Sequence, residues 1–145
     1  MQKIWDFITS ITQNKTNFIF SLVFSSISSY FAFLYNAALP KPETPFELMK
    51  YYFISPGGYL LNTGLNLLSL ISWLLVGISL IYFATHNRNY YNNWFLVLSG
   101  LMGIGFIVAA AYFFSYFILL LFSFILLLII VWVVVWALSD SKSYR

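Results

Sequence analysis

Three long uncharged stretches constrain the fold of this chain more than any other feature. They cover residues 17–39, 59–84 and 94–138, which is 23, 26 and 45 residues without one Asp, Glu, Lys or Arg. A helix that crosses a bilayer needs ~20 mostly apolar residues, so each of the first two stretches suits one crossing. Only 8% of the chain is charged, against about 25% in a soluble domain. The sequence therefore predicts an all-α integral membrane protein.

The third stretch is too long for a single crossing. As one helix it would measure about 67 Å, more than twice a hydrocarbon core of ~30 Å. We therefore predict two helices, over residues 94–111 and 116–138, joined by a turn at 112–115. No Pro or Gly marks this turn. The alternative is one very long helix that projects from the bilayer and is covered by a partner.

The basic residues favour four crossings over three. With the N-terminus inside, four crossings place five basic residues on the inner side: Lys3, Lys15, Arg88, Lys142 and Arg145. Only Lys41 and Lys50 then lie outside, in agreement with the positive-inside rule. Three crossings would leave three inside and four outside. We expect both termini on the cytoplasmic or matrix side of a bacterial cell membrane or, alternatively, a mitochondrial inner membrane.

Two shorter segments are predicted to form interfacial helices. In residues 1–14, apolar side chains recur at spacings of three and four, which is typical of an amphipathic helix with Trp5 at headgroup depth. The alternative for this helix is docking to a soluble partner. Residues 45–54 form the second helix, which lies on the membrane or packs against another subunit. Residues 139–145 form a short charged tail.

The start and end of the second interfacial helix are marked in the sequence. Thr44 and Glu47 have the spacing of a capping box, in which the Thr side chain accepts a hydrogen bond from the Glu backbone N–H. Pro45 suits the first helical position, where its missing donor has no effect. At the other end, Pro56 disfavours the α conformation of the residue before it, and the glycines at 57 and 58 permit a sharp reversal.

Catalytic chemistry is not indicated. No Asp, Glu, Lys, Arg or His side chain lies within a predicted crossing, whereas proton relays and ion-coupled pumps rely on such groups. The chain has no cysteine and a single histidine, His86, so multi-histidine metal sites and bis-histidine haem ligation within one chain are not expected. Seven basic residues are too few for a nucleic-acid surface. We expect no enzyme activity and no metal or cofactor, but we do expect bound lipid.

Small and polar residues form stripes on the predicted crossings. Ser21, Ser25 and Ser28 lie on one face of the first crossing, and Asn66 and Ser69 lie on one face of the second. Small residues allow helices to approach closely in lipid, and a membrane-embedded amide requires a hydrogen-bond partner. We interpret both stripes as packing faces. A polar conduction path is the alternative.

The third uncharged stretch contains two pairs of small residues four apart, and tryptophans near both of its ends. Ser99 pairs with Gly103, and Gly105 pairs with Ala109, which is the pattern of closely crossing membrane helices. With Trp5, the interfacial anchors are predicted to be Trp94, Trp132 and Trp136.

These features favour a non-catalytic accessory subunit that packs within a larger membrane protein complex of transporter, secretion or respiratory type. The alternatives are a small homo-oligomeric channel or transporter, in which the Ser and Asn faces line a polar path, and a membrane immunity protein that shields a target from a toxin. The expected partners are a larger membrane protein or further copies of the chain, together with the lipid bilayer.

Overall fold

The chain folds into five α-helices in a computed structural model, which describes residues 2–39, 44–87 and 89–140. The helices are α1 Gln2–Gln13, α2 Lys15–Ala38, α3 Pro45–Ile54, α4 Pro56–His86 and α5 Asn93–Asp140. No strand occurs in the described ranges. Three of the helices, α2, α4 and α5, are long and apolar enough to cross a membrane. The predicted all-α class is confirmed, and these three helices have the length and apolar composition that the prediction of a membrane protein requires.

The junction between α1 and α2 is short and hydrogen-bonded. The Asn14 side chain accepts from the Thr16 backbone N–H at 3.0 Å, which caps the N-terminus of α2. The Asn17 amide reaches back to the Ser10 carbonyl at 3.4 Å. Ile8 and Ile11 of α1 are buried, because this helix packs against both α2 and α4.

Helix α3 begins where the sequence predicts, but not by the predicted cap. Pro45 occupies its first turn, and no side-chain hydrogen bond from Thr44 caps it in the described part of the chain. The Glu47 backbone N–H donates instead to the Thr44 main-chain carbonyl, at 3.1 Å. The predicted capping-box bond is therefore wrong, because the carbonyl has taken the donor that the hydroxyl was expected to bind.

Only Ser55 separates α3 from α4. Its backbone is non-helical, with φ −145° and ψ 74°, as expected for a residue that precedes a proline. Helix α4 starts at Pro56, so the glycines at 57 and 58 belong to its first turn. The sharp reversal predicted at these glycines is wrong, because Pro56 alone breaks the helical path and can then serve as a first helical residue.

Helix α5 is continuous over 48 residues. The predicted turn at 112–115, and with it the division into helices over 94–111 and 116–138, is wrong. The Ser115 hydroxyl donates to the Tyr112 carbonyl at 2.7 Å, a bond compatible with an unbroken helix. The bilayer thickness that motivated the turn does not act on local backbone energies, and this segment contains no helix-breaking residue. The candidate spans therefore number three rather than four.

Several predicted features lie outside the described residues. These are the basic side chains of Lys41, Arg88, Lys142 and Arg145, and the tail from residue 141 onward. The side chains of Lys3 and Trp5 also lie outside the described part, although the backbone of both residues belongs to α1.

Helix α4 is the centre of the bundle, because it packs against each of the other four helices. Its buried residues are mostly small or polar, including Asn62, Asn66 and Ser69. Large apolar side chains point outward instead; Phe20 is 71% exposed and Val108 is 65% exposed. Small residues inside and large apolar residues outside suit a helical bundle whose surroundings are hydrocarbon.

Candidate functional site

A reciprocal pair of amides joins α2 to α4. Asn36 Nδ2 donates to Asn66 Oδ1 at 3.0 Å, and Asn66 Nδ2 donates to Asn36 Oδ1 at 3.0 Å. The two side chains are 5% and 0% exposed. A buried amide without partners is costly, so this two-bond pairing fixes the register of the two helices. The partner that Asn66 was predicted to need is therefore Asn36.

A third amide, that of Asn62, completes the cluster. Asn66 Nδ2 also lies 2.9 Å from the Asn62 main-chain carbonyl and 2.8 Å from Asn62 Oδ1. Because an amide nitrogen carries only two hydrogens, it must share them among three acceptors. Asn62 Nδ2 is fully buried and has no hydrogen-bond partner among the described residues. The cluster thus joins α2 to α4 inside the bundle, and the Asn62 side-chain NH2 is its one donor group without a partner among the described residues.

Two turns further along the seam, an indole bridges the same two helices. Trp73 Nε1 on α4 donates to Ser29 Oγ on α2 at 2.6 Å. Its ring lies against Phe106 of α5, with a centroid separation of 4.7 Å. Trp73 therefore connects all three candidate spanning helices, and its polar atom is satisfied inside the bundle.

The serines of α2 allow this close approach. Ser25 and Ser28, two of the predicted packing residues, are buried on the face that also carries Ala32 and Asn36. Their hydroxyls donate to carbonyls of their own helix, Ser25 to Ser21 at 2.7 Å and Ser28 at 3.1 Å to Ser25. Hydroxyls engaged in this way pack as small residues. Ser21 itself is only half-buried.

On α4, the predicted packing residue Ser69 is fully buried. Its Oγ has no hydrogen-bond partner among the described residues, whereas its main-chain carbonyl accepts from the Ser72 hydroxyl at 3.1 Å. Ser69 therefore packs as a small residue and contributes no hydroxyl hydrogen bond to the seam.

The contact between α4 and α5 depends on two glycines. A Cβ on Gly77 would lie 2.9 Å from the Gly103 carbonyl oxygen, and a Cβ on Gly103 would lie 2.8 Å from the Gly77 carbonyl oxygen. Of the predicted small-residue pairs, Ser99 and Gly103 are both buried. Gly105 faces outward with nothing within 4 Å of its Cβ position in the described structure, and Ala109 is half-buried.

Gly77 is a packing residue that the sequence pattern did not predict. The residues four positions before and after it are Trp73 and Ile81, so it belongs to no pair of small residues at that spacing. Its role becomes visible only when α5 is in place. A search for isolated glycines in apolar helices would have found Gly77, but also Gly64, which has nothing within 4 Å of its Cβ position among the described residues.

An aromatic cluster joins α3 to the first turns of α4 and to α5. The Tyr59 hydroxyl of α4 donates to the Leu120 carbonyl of α5, and the rings of Tyr51 and Tyr52 on α3 pack against Tyr59. Burial, with a smaller contribution from the neighbouring Tyr35, raises the pKa of the Tyr51 hydroxyl above its ordinary value. The cluster holds α3 onto α4 and α5 by uncharged contacts.

Three of the four predicted tryptophan anchors have described side chains, and all three are exposed on α5. Trp94 is 81% exposed at the start of α5, and Trp132 and Trp136 are 69% and 59% exposed near its end. Trp94 lies almost the whole length of α5 away from Trp132 and Trp136. The Trp5 side chain lies outside the described part.

The described residues offer little for metal or acid–base chemistry. Within them, no group of three or more His, Asp or Glu side chains is placed to hold a metal ion. His86 stacks on Tyr82 with a centroid separation of 3.9 Å, and its Nδ1 lies 3.0 Å from the Thr85 hydroxyl. The contacts described around α4 hold helices together.

Comparison with known proteins adds no assignment: no family model, no curated protein and no solved structure matches the chain.

Proposed function

We propose that this chain is a non-catalytic accessory subunit of a larger membrane protein complex, and that the C-terminal part of α5 is its docking element. The observation that carries the proposal is the length of that helix. At 48 residues, α5 measures about 72 Å, against a hydrocarbon core of ~30 Å.

Tilting does not absorb this excess length. Membrane helices tilt by up to ~40°, and at that angle about 26 residues cross the hydrocarbon core. The apolar stretch from 94 to 138 has 45 residues, so about 19 residues, or ~28 Å of helix, extend beyond the core. An apolar helix of that length is poorly soluble in water and needs a protein or lipid cover.

The excess lies at the C-terminal end, because α4 packs against the earlier part of α5. The Gly77–Gly103 contact and the bond from Tyr59 to Leu120 fix this pairing. From residue 128 to residue 135 every side chain is at least 40% exposed, and all eight are Leu, Ile, Val or Trp. This segment, which we name the α5 extension, offers apolar surface on all sides to a partner.

The polar faces of α2 and α4 support a packing role over conduction. The Asn36–Asn66 pair and the bond from Trp73 to Ser29 join these faces to each other within one chain. A conduction path needs polar groups that face a continuous opening. Here the two most polar helix faces are used to hold the bundle together.

The proposed topology follows from three crossings, one each by α2, α4 and α5. The N-terminus and the residues after α5 then lie on opposite sides of the membrane. The expectation that both termini share one side depended on a fourth crossing. With three crossings the basic residues divide three to four, so charge alone assigns neither side to the cytoplasm.

The test is co-purification from the native membrane in mild detergent, with wild-type protein compared with Trp132→Ala. A stoichiometric larger partner is expected with the wild type. A buried interface Trp contributes at least ~2 kcal/mol to binding, so its loss should weaken partner retention roughly 30-fold. The matched control is Trp94→Ala, an exposed Trp at the other end of the same helix, which should retain the partner.

Two outcomes would contradict the proposal. A symmetric oligomer of this chain alone that conducts ions in liposomes would favour the channel alternative. Equal partner retention in Trp132→Ala and wild type would show that the α5 extension is not the docking element.

A further inference from the structure

A groove runs along the bundle where α1, α2 and α4 meet, with a volume of about 350 Å³. We name it the α1–α2–α4 groove. Its floor is formed by Ile11, Ser72 and Val76, which are 4%, 9% and 1% exposed. Its walls include Phe20 and Phe24, which are 71% and 45% exposed. A buried floor between exposed walls makes this a cleft that opens to the surroundings of the bundle.

The polar groups that line the groove are largely engaged within the protein. The Ser10 hydroxyl donates to the Phe7 carbonyl at 2.7 Å, and the Ser72 hydroxyl donates to the Ser69 carbonyl at 3.1 Å. The Asn17 amide donates to the Ser10 carbonyl at 3.4 Å. The remaining lining is mostly apolar, so the groove suits an apolar occupant rather than water or a polar ligand.

The length and ends of the groove favour one kind of apolar occupant. Along α2 it extends from Asn17 to Phe24, about 10 Å at the rise of an α-helix. One leaflet of the hydrocarbon core is ~15 Å deep, so the groove covers much of the depth of one acyl chain. Asn17, the lining residue at one end, is polar and exposed, which suits the headgroup end of a lipid.

We propose that the α1–α2–α4 groove is a binding site for a membrane glycerophospholipid, with one acyl chain in the groove and the headgroup at its Asn17 end. Both α2 and α4 are candidate spanning helices, so the medium that meets the open side of the groove is lipid. The bound chain fills space between α1 and the spanning helices, and it holds α1 to the bundle.

The site is tested with a phosphatidylcholine that carries a photoreactive diazirine in its acyl chain. The wild-type protein is reconstituted with this lipid and irradiated, and the cross-linked peptides are mapped. Cross-links should concentrate on peptides from 20–24 and 71–76, at about tenfold the level on 101–108, a part of α5 that carries four exposed apolar side chains. Uniform labelling of the three peptides would overturn the proposal. This measurement requires no substitution.

A matched pair of variants tests the site independently. Ser21→Phe places a ring in the groove, whereas Ser26→Phe makes the same change on an exposed position of α2 outside the groove lining. Native mass spectrometry should find one retained phospholipid on the wild type and on Ser26→Phe. Ser21→Phe should retain about tenfold less, which corresponds to about 1.4 kcal/mol of binding free energy. Equal retention by the two variants would overturn the site.

Discussion

Gly77 on α4 and Gly103 on α5 face each other so closely that a Cβ on either would lie within 3 Å of the carbonyl oxygen of the other, at 2.9 and 2.8 Å. The contact is symmetric and involves backbone on both sides. Backbone atoms cannot move aside as the end of a flexible side chain can, so an added methyl group must separate the helices.

This contact predicts that Gly103→Ala destabilises the bundle. Overpacking of a close-packed interface typically costs ~1–3 kcal/mol. The matched control is Gly105→Ala, two residues along the same helix, where nothing in the described structure lies within 4 Å of the Cβ position. That variant should be neutral or stabilised by up to ~1 kcal/mol, because Ala favours the helix. SDS titration followed by circular dichroism measures both, and equal stabilities would contradict the contact.

The second prediction concerns the amide pair. Asn66→Leu removes both interhelical bonds and leaves the Asn36 amide buried without them, so it should destabilise the bundle by ~1–2 kcal/mol. The double variant Asn36→Leu/Asn66→Leu removes both amides and should recover much of that loss. The free energies of unfolding of the wild type, Asn36→Leu, Asn66→Leu and the double variant form a double-mutant cycle. Additive effects of the two substitutions would show that the pair does not interact.

The same variant separates packing from conduction. If α2 and α4 form a packing seam, Asn66→Leu lowers stability or partner retention and causes no specific loss of flux. If the face lined a pore, Leu would replace a polar wall by an apolar one and stop flux while assembly remained intact. Flux in reconstituted liposomes, measured beside retention in detergent, distinguishes the two.

The third prediction compares two helix N-termini. Asn14 caps α2 through its side chain, at 3.0 Å from the Thr16 N–H, so Asn14→Ala should cost ~1 kcal/mol. Thr44 precedes α3, but its main-chain carbonyl receives the Glu47 N–H. Alanine preserves that bond, so Thr44→Ala should cost less than ~0.5 kcal/mol. Hydrogen exchange from Phe46 to Phe53 should be unchanged in Thr44→Ala. Faster exchange in this variant would contradict this prediction and show that the Thr44 side chain does cap α3.

The elements were predictable from local sequence because their signals are local. The uncharged stretches fixed the positions of α2 and α4 to within three residues at each end. The residue before Pro56 ended α3 as expected, and the spacing of Ser25 and Ser28 placed both on a buried face. These predictions required only periodicity, helix propensity and the geometry of proline.

The contacts between helices could not be predicted from local sequence, because they depend on which helix lies beside which. The sequence indicated that Asn66 needs a partner, but the choice of Asn36 depends on the antiparallel packing of α2 and α4. Gly77 carries no pattern of its own until Gly103 lies opposite it. The length of α5 was misjudged for a related reason. The bilayer argument concerns the surroundings of a helix, whereas helix continuity is decided by its backbone and its neighbours.

The last prediction concerns the number of crossings. The chain has no native cysteine, so single cysteines at Thr44, Asn89 and Ser143 can be labelled with an impermeant thiol reagent without background. Three crossings place Thr44 and Ser143 on one side of the membrane and Asn89 on the other. A fourth crossing, which would require α5 to break in the bilayer, would place Ser143 with Asn89 instead.

We expect labelling of Thr44→Cys and Ser143→Cys from the same side, because α5 is continuous from Asn93 to Asp140. Asn89→Cys reports the opposite side and is the control for membrane integrity. Labelling of Ser143→Cys only from the Asn89 side would refute the three-crossing topology, and with it the excess helix length on which the docking role of α5 depends.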